Sequence, residues 1–177
     1  MTTLIAEDGF VIRNVNPADL DQLVAWINGD PNLDFFDRRD TREALENYFH
    51  EREQEICCIA EYGGWAIGYI EFYPSRLWTY VYGDSSDERP WGIDVFIGSS
   101  ADRNQGLGRQ MLKVVATHLF QERKATRIVI DPEASNERAI RCYEKAGFKK
   151  SRFIPASVTA EGEFNDTWLM EMFPPKG

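Results

Sequence analysis

The chain has 177 residues, 43% hydrophobic and 28% charged, a balance that buries a core and predicts a single domain over residues 1–177. Its formal charge of −9 argues against nucleic acid or an anionic membrane as partner, since such binders carry basic patches. It suits a cationic small molecule, although acidity that only keeps a protein soluble is the plainer account of the same number.

No apolar run approaches the ~20 residues of a membrane-spanning helix. Met1 to Asp8 lacks a basic segment followed by an apolar stretch, so no secretion signal is read there. Cys57, Cys58 and Cys142 form no paired spacing, and His50 and His118 are the two histidines. That excludes a disulfide framework and points away from a metal site. The expectation is a cytoplasmic protein, monomer or homodimer, without metal.

Phe10 to Asn14 reads as a short strand. Asn16-Pro17 opens a helix, with Asn as cap, Pro at the first helical position and Asp19 facing the dipole. Leu20, Leu23, Val24 and Ile27 make one apolar stripe, and Gly29 ends it. A second helix is predicted from Asp40, with Glu43 completing a capping-box pattern and Leu45, Tyr48 and Phe49 buried. Ile56 to Tyr62 and Trp65 to Tyr73 read as strands joined at Gly63-Gly64, a hairpin signal. Alternation along the first of them puts one of Cys57 and Cys58 in the core.

Pro74 to Pro90 is irregular and carries Trp78, Tyr80, Tyr82, Asp84, Asp87 and Glu88; long loops in compact domains are often functional. Trp91 to Ile97 is the next strand. Gly106 to Glu122 is an amphipathic helix with Leu107, Met111 and Val115 four apart. Arg127 to Asp131 is a strand. Asn136 to Ala146 is a helix with Gly147 placed as a left-handed cap. Strands near Lys149 to Ile154 and Asp166 to Phe173 follow. The order predicts an α+β layered fold with helices covering a mixed sheet.

The segment Arg103-Asn104-Gln105-Gly106-Leu107-Gly108 lies directly after a strand and before a helix. Glycines let backbone N–H groups turn toward an anion, and a helix N-terminus adds unpaired donors and partial positive charge. Arg103 and Arg109 can add charge-assisted bonds. The geometry suits a pyrophosphate. It lacks the ending of a P-loop and is not GxGxxG; taken alone, a glycine-rich turn entering a helix explains it as well.

Strand, Arg-x-x-Gly-x-Gly, then helix resembles the acetyl-CoA-binding motif of the GNAT superfamily of N-acetyltransferases. Downstream, Asn136, Ala139, Tyr143, Gly147 and Phe148 match that superfamily's Asn-x-x-Ala-x-x-x-Tyr-x-x-x-Gly-Phe pattern. Trp91-Gly92-Ile93-Asp94, the glycine turn, Asp131-Pro132-Glu133-Ala134-Ser135-Asn136 and the helix up to Phe148 together resemble bacterial aminoglycoside 6′-N-acetyltransferases. The match is close over 91–148, looser over 10–73, and does not extend to 74–90 or 149–177.

This resemblance implies a GNAT-like, mostly antiparallel twisted sheet with helices on both faces. It also implies direct acetyl transfer from acetyl-CoA to an amine. Asp94, Val95, Phe96 and Ile97 lie where the family's backbone holds the pantetheine arm and acetyl carbonyl. Arg103, Asn104, Gln105, Gly106, Leu107, Gly108 and Arg109 match the pyrophosphate cradle, and Asn136 matches the residue that bonds the pantetheine amides. Tyr143 matches the tyrosine that protonates the departing thiolate, a role a neutral phenol can fill; a core tyrosine at helical spacing is the bland reading.

Asp94 sits among Ile93, Val95 and Phe96, and a carboxylate in apolar surroundings needs a partner or a task. The resemblance makes it base or anchor for the acceptor amine; the alternative is a satisfied structural aspartate. Asp131 can line the same acidic cleft or cap a turn before Pro132, and Glu133 is a weaker candidate. Trp78 and Tyr80 can pack on sugar faces or merely belong to a solvated loop, and Glu161, Glu163 and Asp166 read more simply as solvated. Acetylation of another amine (a siderophore hydroxylysine, a polyamine, a protein N-terminus) and a non-catalytic acyl-CoA-binding module stay open as alternatives.

Overall fold

Short turns with left-handed residues lay out the first part of the chain. The computed structural model describes residues 2–29, 41–52, 54–78, 89–158 and 164–175. Strand β1 (Thr3–Glu7) pairs antiparallel with β2 (Phe10–Asn14) around Asp8 at φ 52° and Gly9 at φ 81°, the two positive angles that a tight hairpin needs. The apolar pattern there does not predict a strand, although Asp8-Gly9 is a hairpin signal. Of β1 only Ile5 is buried, so its apolar pattern is weak.

Asn16 caps a 3₁₀ turn, Pro17–Asp19: its side chain accepts from Ala18, and Asp19 answers by accepting from the Asn16 backbone N–H. Helix α1 (Leu20–Gly29) follows and buries Leu20, Leu23, Trp26 and Ile27. Helix α2 (Arg42–Glu51) is capped by Thr41, whose hydroxyl accepts from Ala44; Asp40, the expected cap, lies outside the described residues. Leu45 and Tyr48 are buried and Phe49 is half-buried. Strand β3 (Ile56–Tyr62) turns into β4 (Trp65–Pro74) through Gly63 and Gly64 at φ 60° and 86°, as expected from the glycine pair. Cys58 is the core cysteine of the adjacent pair and Cys57 is half-buried.

The chain divides into two compact units, Met1–Phe72 with Asp94–Val114, and Tyr73–Ile93 with Val115–Gly177. In the first, β1, β2, β3 and β4 pair antiparallel in that order. Leu20, Leu23, Trp26 and Ile27 of α1 pack with Leu45 of α2, Ile59, Tyr69 and Phe96. The first unit also holds Asp94–Ile97, the end of β5 (Pro90–Ile97). Gly98 N–H donates to the Ile67 carbonyl at 2.9 Å, and the Tyr69 and Phe96 rings stack at 5.5 Å. Gly68 makes this approach possible, since a Cβ there would lie 2.3 Å from the Phe96 carbonyl oxygen.

In the second unit the strand order is β5, β6 (Arg127–Ile130), β8 (Phe164–Met172), β7 (Lys149–Val158). The β5–β6 pair is parallel, over Pro90–Gly92 and Arg127–Val129; the other two pairs are antiparallel. Tyr73, Val129 and Leu169 form a cluster with Leu77, Trp78 and Ile154 against it. Helix α3 (Leu107–Gln121) begins in the first unit and ends in the second, and α4 (Glu137–Ala146) lies wholly in the second. The architecture is a mixed, mostly antiparallel α+β fold. Among the described residues no helix is long and apolar enough to cross a membrane.

Candidate functional site

In the first unit, β5 runs out at Ile97 and the chain passes through Gly98, a Ser99-capped 3₁₀ turn (Ser100–Asp102) and the segment Arg103–Gly106 before entering α3. Asn104 at φ 61° and Gly106 at φ 82° reverse the backbone twice within three residues. A Cβ on Gly106 would have room, with Gln110 Nε2 at 3.8 Å and Arg109 Nη2 at 3.9 Å. The demand for glycine there is conformational, because L side chains resist positive φ. The carbonyl of Gly106 accepts from Gln110, so α3 is already closing its first turn. The N–H groups of a first helical turn have no partner within the helix, which leaves the start of α3 as a donor-rich, partly positive end.

The arginine of this turn has a role that sequence alone does not assign. Arg103 Nε and Nη2 donate to the Ile97 carbonyl at 3.1 and 3.0 Å, and Nη2 donates to Gly98 at 3.2 Å. The guanidinium thus ties the turn back to the end of β5. Gln105 donates to Ala101 at 2.6 Å. Asn104, Gln105 and Arg109 are exposed, Gly106 and Gly108 half-buried, and Leu107 buried. Phe96 is 6% exposed and packs in the core, so only its backbone is available to a ligand. Asp94, Val95 and Ile97 are half-buried.

Beside Asp94's strand lies a group that the sequence reading missed. Glu71 on β4 accepts from the Tyr48 hydroxyl, 2.8 and 2.7 Å from its two oxygens, and from the Tyr69 hydroxyl. Cys57 Sγ stands 3.7 Å from Oε2. Burial, and then the Glu71 charge, holds the Tyr69 phenol well above its ordinary range and pushes the Cys57 thiol upward. Burial also pushes the Cys58 thiol up to about 12. A Glu in a strand of otherwise apolar and aromatic residues was the available signal, and its donors come from α2 and from two residues back along β4.

The second unit holds the remaining predicted residues. Asn136 caps α4, its Oδ1 accepting from Ala139 at 3.1 Å, which leaves the carboxamide nitrogen as the donor end. Tyr143 is 9% exposed, with its ring 6.2 Å from that of Phe148. Its carbonyl accepts from both Gly147 and Phe148, and Glu144 accepts from Gly147, a Schellman-type stop with Gly147 at φ 121°. Asp131 is half-buried directly after β6.

Glu133 is committed within its own turn. It accepts from Asn165 Nδ2 at 2.9 Å and from Ser135 Oγ at 3.2 Å, and its backbone bridges Thr167. Trp78 packs edge-on against Tyr73 at 6.3 Å in the apolar cluster. Tyr80, like Glu161 and Glu163, lies outside the described residues. Among the described residues there is no group of three metal-ligating side chains.

A glycine turn at positive φ feeding a helix, and a capped helix carrying a buried tyrosine, stand where the sequence resemblance to an acyl-CoA-dependent transferase puts them. The profile of the acetyltransferase (GNAT) domain matches residues 16–155, and this chain belongs to that family. Among curated proteins it is 30% identical over 157 residues to aminoglycoside N(6′)-acetyltransferase type 1 of Klebsiella pneumoniae, covering 82% of this chain and 76% of that one. It is 35% identical over 66 residues to spermine/spermidine N(1)-acetyltransferase of Bacillus subtilis, covering 37% and 43%. Aminoglycoside acetyltransferase AAC(6′)-Ib, solved with coenzyme A and kanamycin, matches with a TM-score of 0.75 at 27% identity over 93% of this chain and 94% of that one.

Proposed function

We propose that this chain transfers the acetyl group of acetyl-CoA directly to a primary amine of a cationic small molecule, the 6′-amine of an aminoglycoside. The observation that carries the acceptor is the 30% identity to an aminoglycoside N(6′)-acetyltransferase over 82% of the chain. The cofactor reading rests on the Arg103–Gly106 turn, whose Asn104 and Gly106 conformations open backbone donors toward an anion at the head of α3. The residues present therefore fit the pyrophosphate of acetyl-CoA. A protein that works on this cofactor and on a diffusible drug-like amine belongs in the cytoplasm, and that location is part of the proposal.

In this reading Asp94 faces the acceptor and takes a proton from its ammonium, leaving the nitrogen lone pair to attack the thioester carbon. Backbone N–H groups of the Asp94–Ile97 segment steady the oxyanion that develops as the C–N bond forms. Once the C–N bond has formed, the cationic nitrogen releases its second proton to solvent; as the C–S bond breaks, Tyr143 donates its phenolic proton to the thiolate and regains one from solvent. Asn136 presents its carboxamide nitrogen to a pantetheine carbonyl while its oxygen keeps the helix capped. Asp131 adds negative charge for a second ammonium of a polyamine sugar, and Trp78 and Tyr80 supply apolar surface.

Thiol release from acetyl-CoA, measured with kanamycin, tobramycin and spermine as acceptors, tests the proposal. The expected result is turnover with the two aminoglycosides. Turnover with spermine alone would move the acceptor to the polyamine class, and silence with every aminoglycoside would remove the acceptor named here.

A further inference from the structure

Glu71 has no part in the reaction as derived above, yet among the described residues it is the most deeply buried carboxylate, at 2% exposure. A carboxylate accepts and does not donate, and its two oxygens are met by the hydroxyls of Tyr48 and Tyr69 and the thiol of Cys57. Tyr69, which donates to Glu71, belongs to the apolar cluster with Leu23, Trp26 and Ile27 of α1. Just past α2, the Arg52 guanidinium stands 4.3 Å over the Tyr48 ring, pairs with Glu55 at 3.1 Å and also feels the Glu71 charge, so a cation faces this group as well.

The register within the first unit places a second carboxylate beside it. Gly98 faces Ile67 through a backbone hydrogen bond, and two residues along, Phe96 stacks on Tyr69. Two residues further, the same antiparallel register sets Asp94 opposite Glu71. Alternation keeps Asp94 on the face of Phe96 and Glu71 on the face of Tyr69, and the stack shows these to be one face. Residues directly opposite in an antiparallel pair have Cα atoms about 4.5–5.5 Å apart.

The geometry points to Glu71 as a positioning residue for the transfer reaction: held by Tyr48 and Tyr69, its negative charge raises the proton affinity of Asp94, so that Asp94 accepts the ammonium proton near neutral pH. This rests on the role given to Asp94 above. An aspartate with an ordinary affinity titrates near pH ~3.9 and is a poor base at neutrality, whereas a like charge close by disfavours its ionised form. In the step itself an N–H bond of the ammonium breaks, its electron pair stays on nitrogen, and an O–H bond forms on Asp94, which later releases the proton to solvent.

The test is a carboxyl-carbon NMR titration of Asp94 in the full chain, in the wild type, Glu71→Gln and Tyr48→Phe, beside the pH profile of kcat/KM with kanamycin. The wild-type midpoint is expected above the ordinary aspartate range. In Glu71→Gln the midpoint and the acidic limb of the profile should both fall by roughly one pH unit. Tyr48→Phe keeps the Glu71 charge and should not lower the midpoint. A wild-type midpoint in the ordinary range overturns the inference without recourse to any variant. So does a midpoint that Glu71→Gln leaves in place, or an equal fall in Tyr48→Phe. Absence of kanamycin acetylation would sink the acceptor reading and leave the titration to decide this one.

Discussion

The two units bury their polar groups by different means. In the first, the partners lie far apart in sequence. Arg13 on β2 is 5% exposed and meets Asp19 at 2.7 Å after the strand and Glu61 at 2.7 Å on β3; hydrogen bonding to Asp19 raises the guanidinium's affinity for its proton. Glu71 on β4 is met by Tyr48 on α2. In the second unit one non-local pair, Arg127 on β6 with Glu171 on β8 at 2.5 Å, stands beside closures that are local, and no arginine among the described pairs there serves two carboxylates as Arg13 does. Asn136 caps Ala139, Gly147 and Phe148 close on Tyr143, and Ser135 bonds Glu133 two residues away. The longer tie from Asn165 to Glu133 joins a turn to a strand without burying a charge. The difference teaches where each unit is fragile. Non-local buried charges fail as a group when one partner goes, while local caps fail singly.

The largest effect is expected from Arg13→Met, which removes the shared partner of two carboxylates in a largely buried site. It should cost about 3–5 kcal/mol in urea unfolding, and a loss below ~1 kcal/mol would break the contrast. Tyr143→Phe comes next and probes function in the locally closed unit. Turnover should fall by about 10²-fold or more, with acetyl-CoA affinity by calorimetry kept within a few-fold; unchanged turnover would discard the phenol as proton donor. Smallest is Asn136→Ala, where loss of a helix cap should cost ~1 kcal/mol. A cost equal to that of Arg13→Met would show that the second unit is no more modular than the first.

The same contrast governs how far the molecule can be read from its residues. The hairpin at Gly63-Gly64, the Asn16 cap and the Gly147 stop were legible because each is decided within a few residues. The stripe Leu107, Met111, Val115 was legible because a helical period repeats; all three are buried. Strand β1 is not legible because an exposed strand carries little apolar alternation. Thr41 in place of Asp40 as the cap of α2 is a shift of one residue between two side chains that can both accept a hydrogen bond.

The candidate site divides along the same line. The turn Arg103–Gly108 and the helix with Asn136 and Tyr143 could be found because glycine, a helix start and an arginine occur in sequence order. What Arg103 binds could not, because its acceptors at Ile97 and Gly98 are reached only after the chain has turned back on itself. Glu133 looked available and is held by Ser135 and Asn165. Glu71 looked like one more strand residue and is the most enclosed carboxylate described.

By itself, then, the sequence determined most of the elements, several of their caps and turns, and the glycine turn at the head of α3, since dihedral preference and periodicity act over short spans. Only the tertiary structure decided which charges meet. The register of β4 against the end of β5, and the docking of α2 through Tyr48, bring Glu71 its donors and set Asp94 across from it. That proximity is a property of the folded sheet, because no local preference of either residue reaches the other across the 22 residues between Glu71 and Asp94.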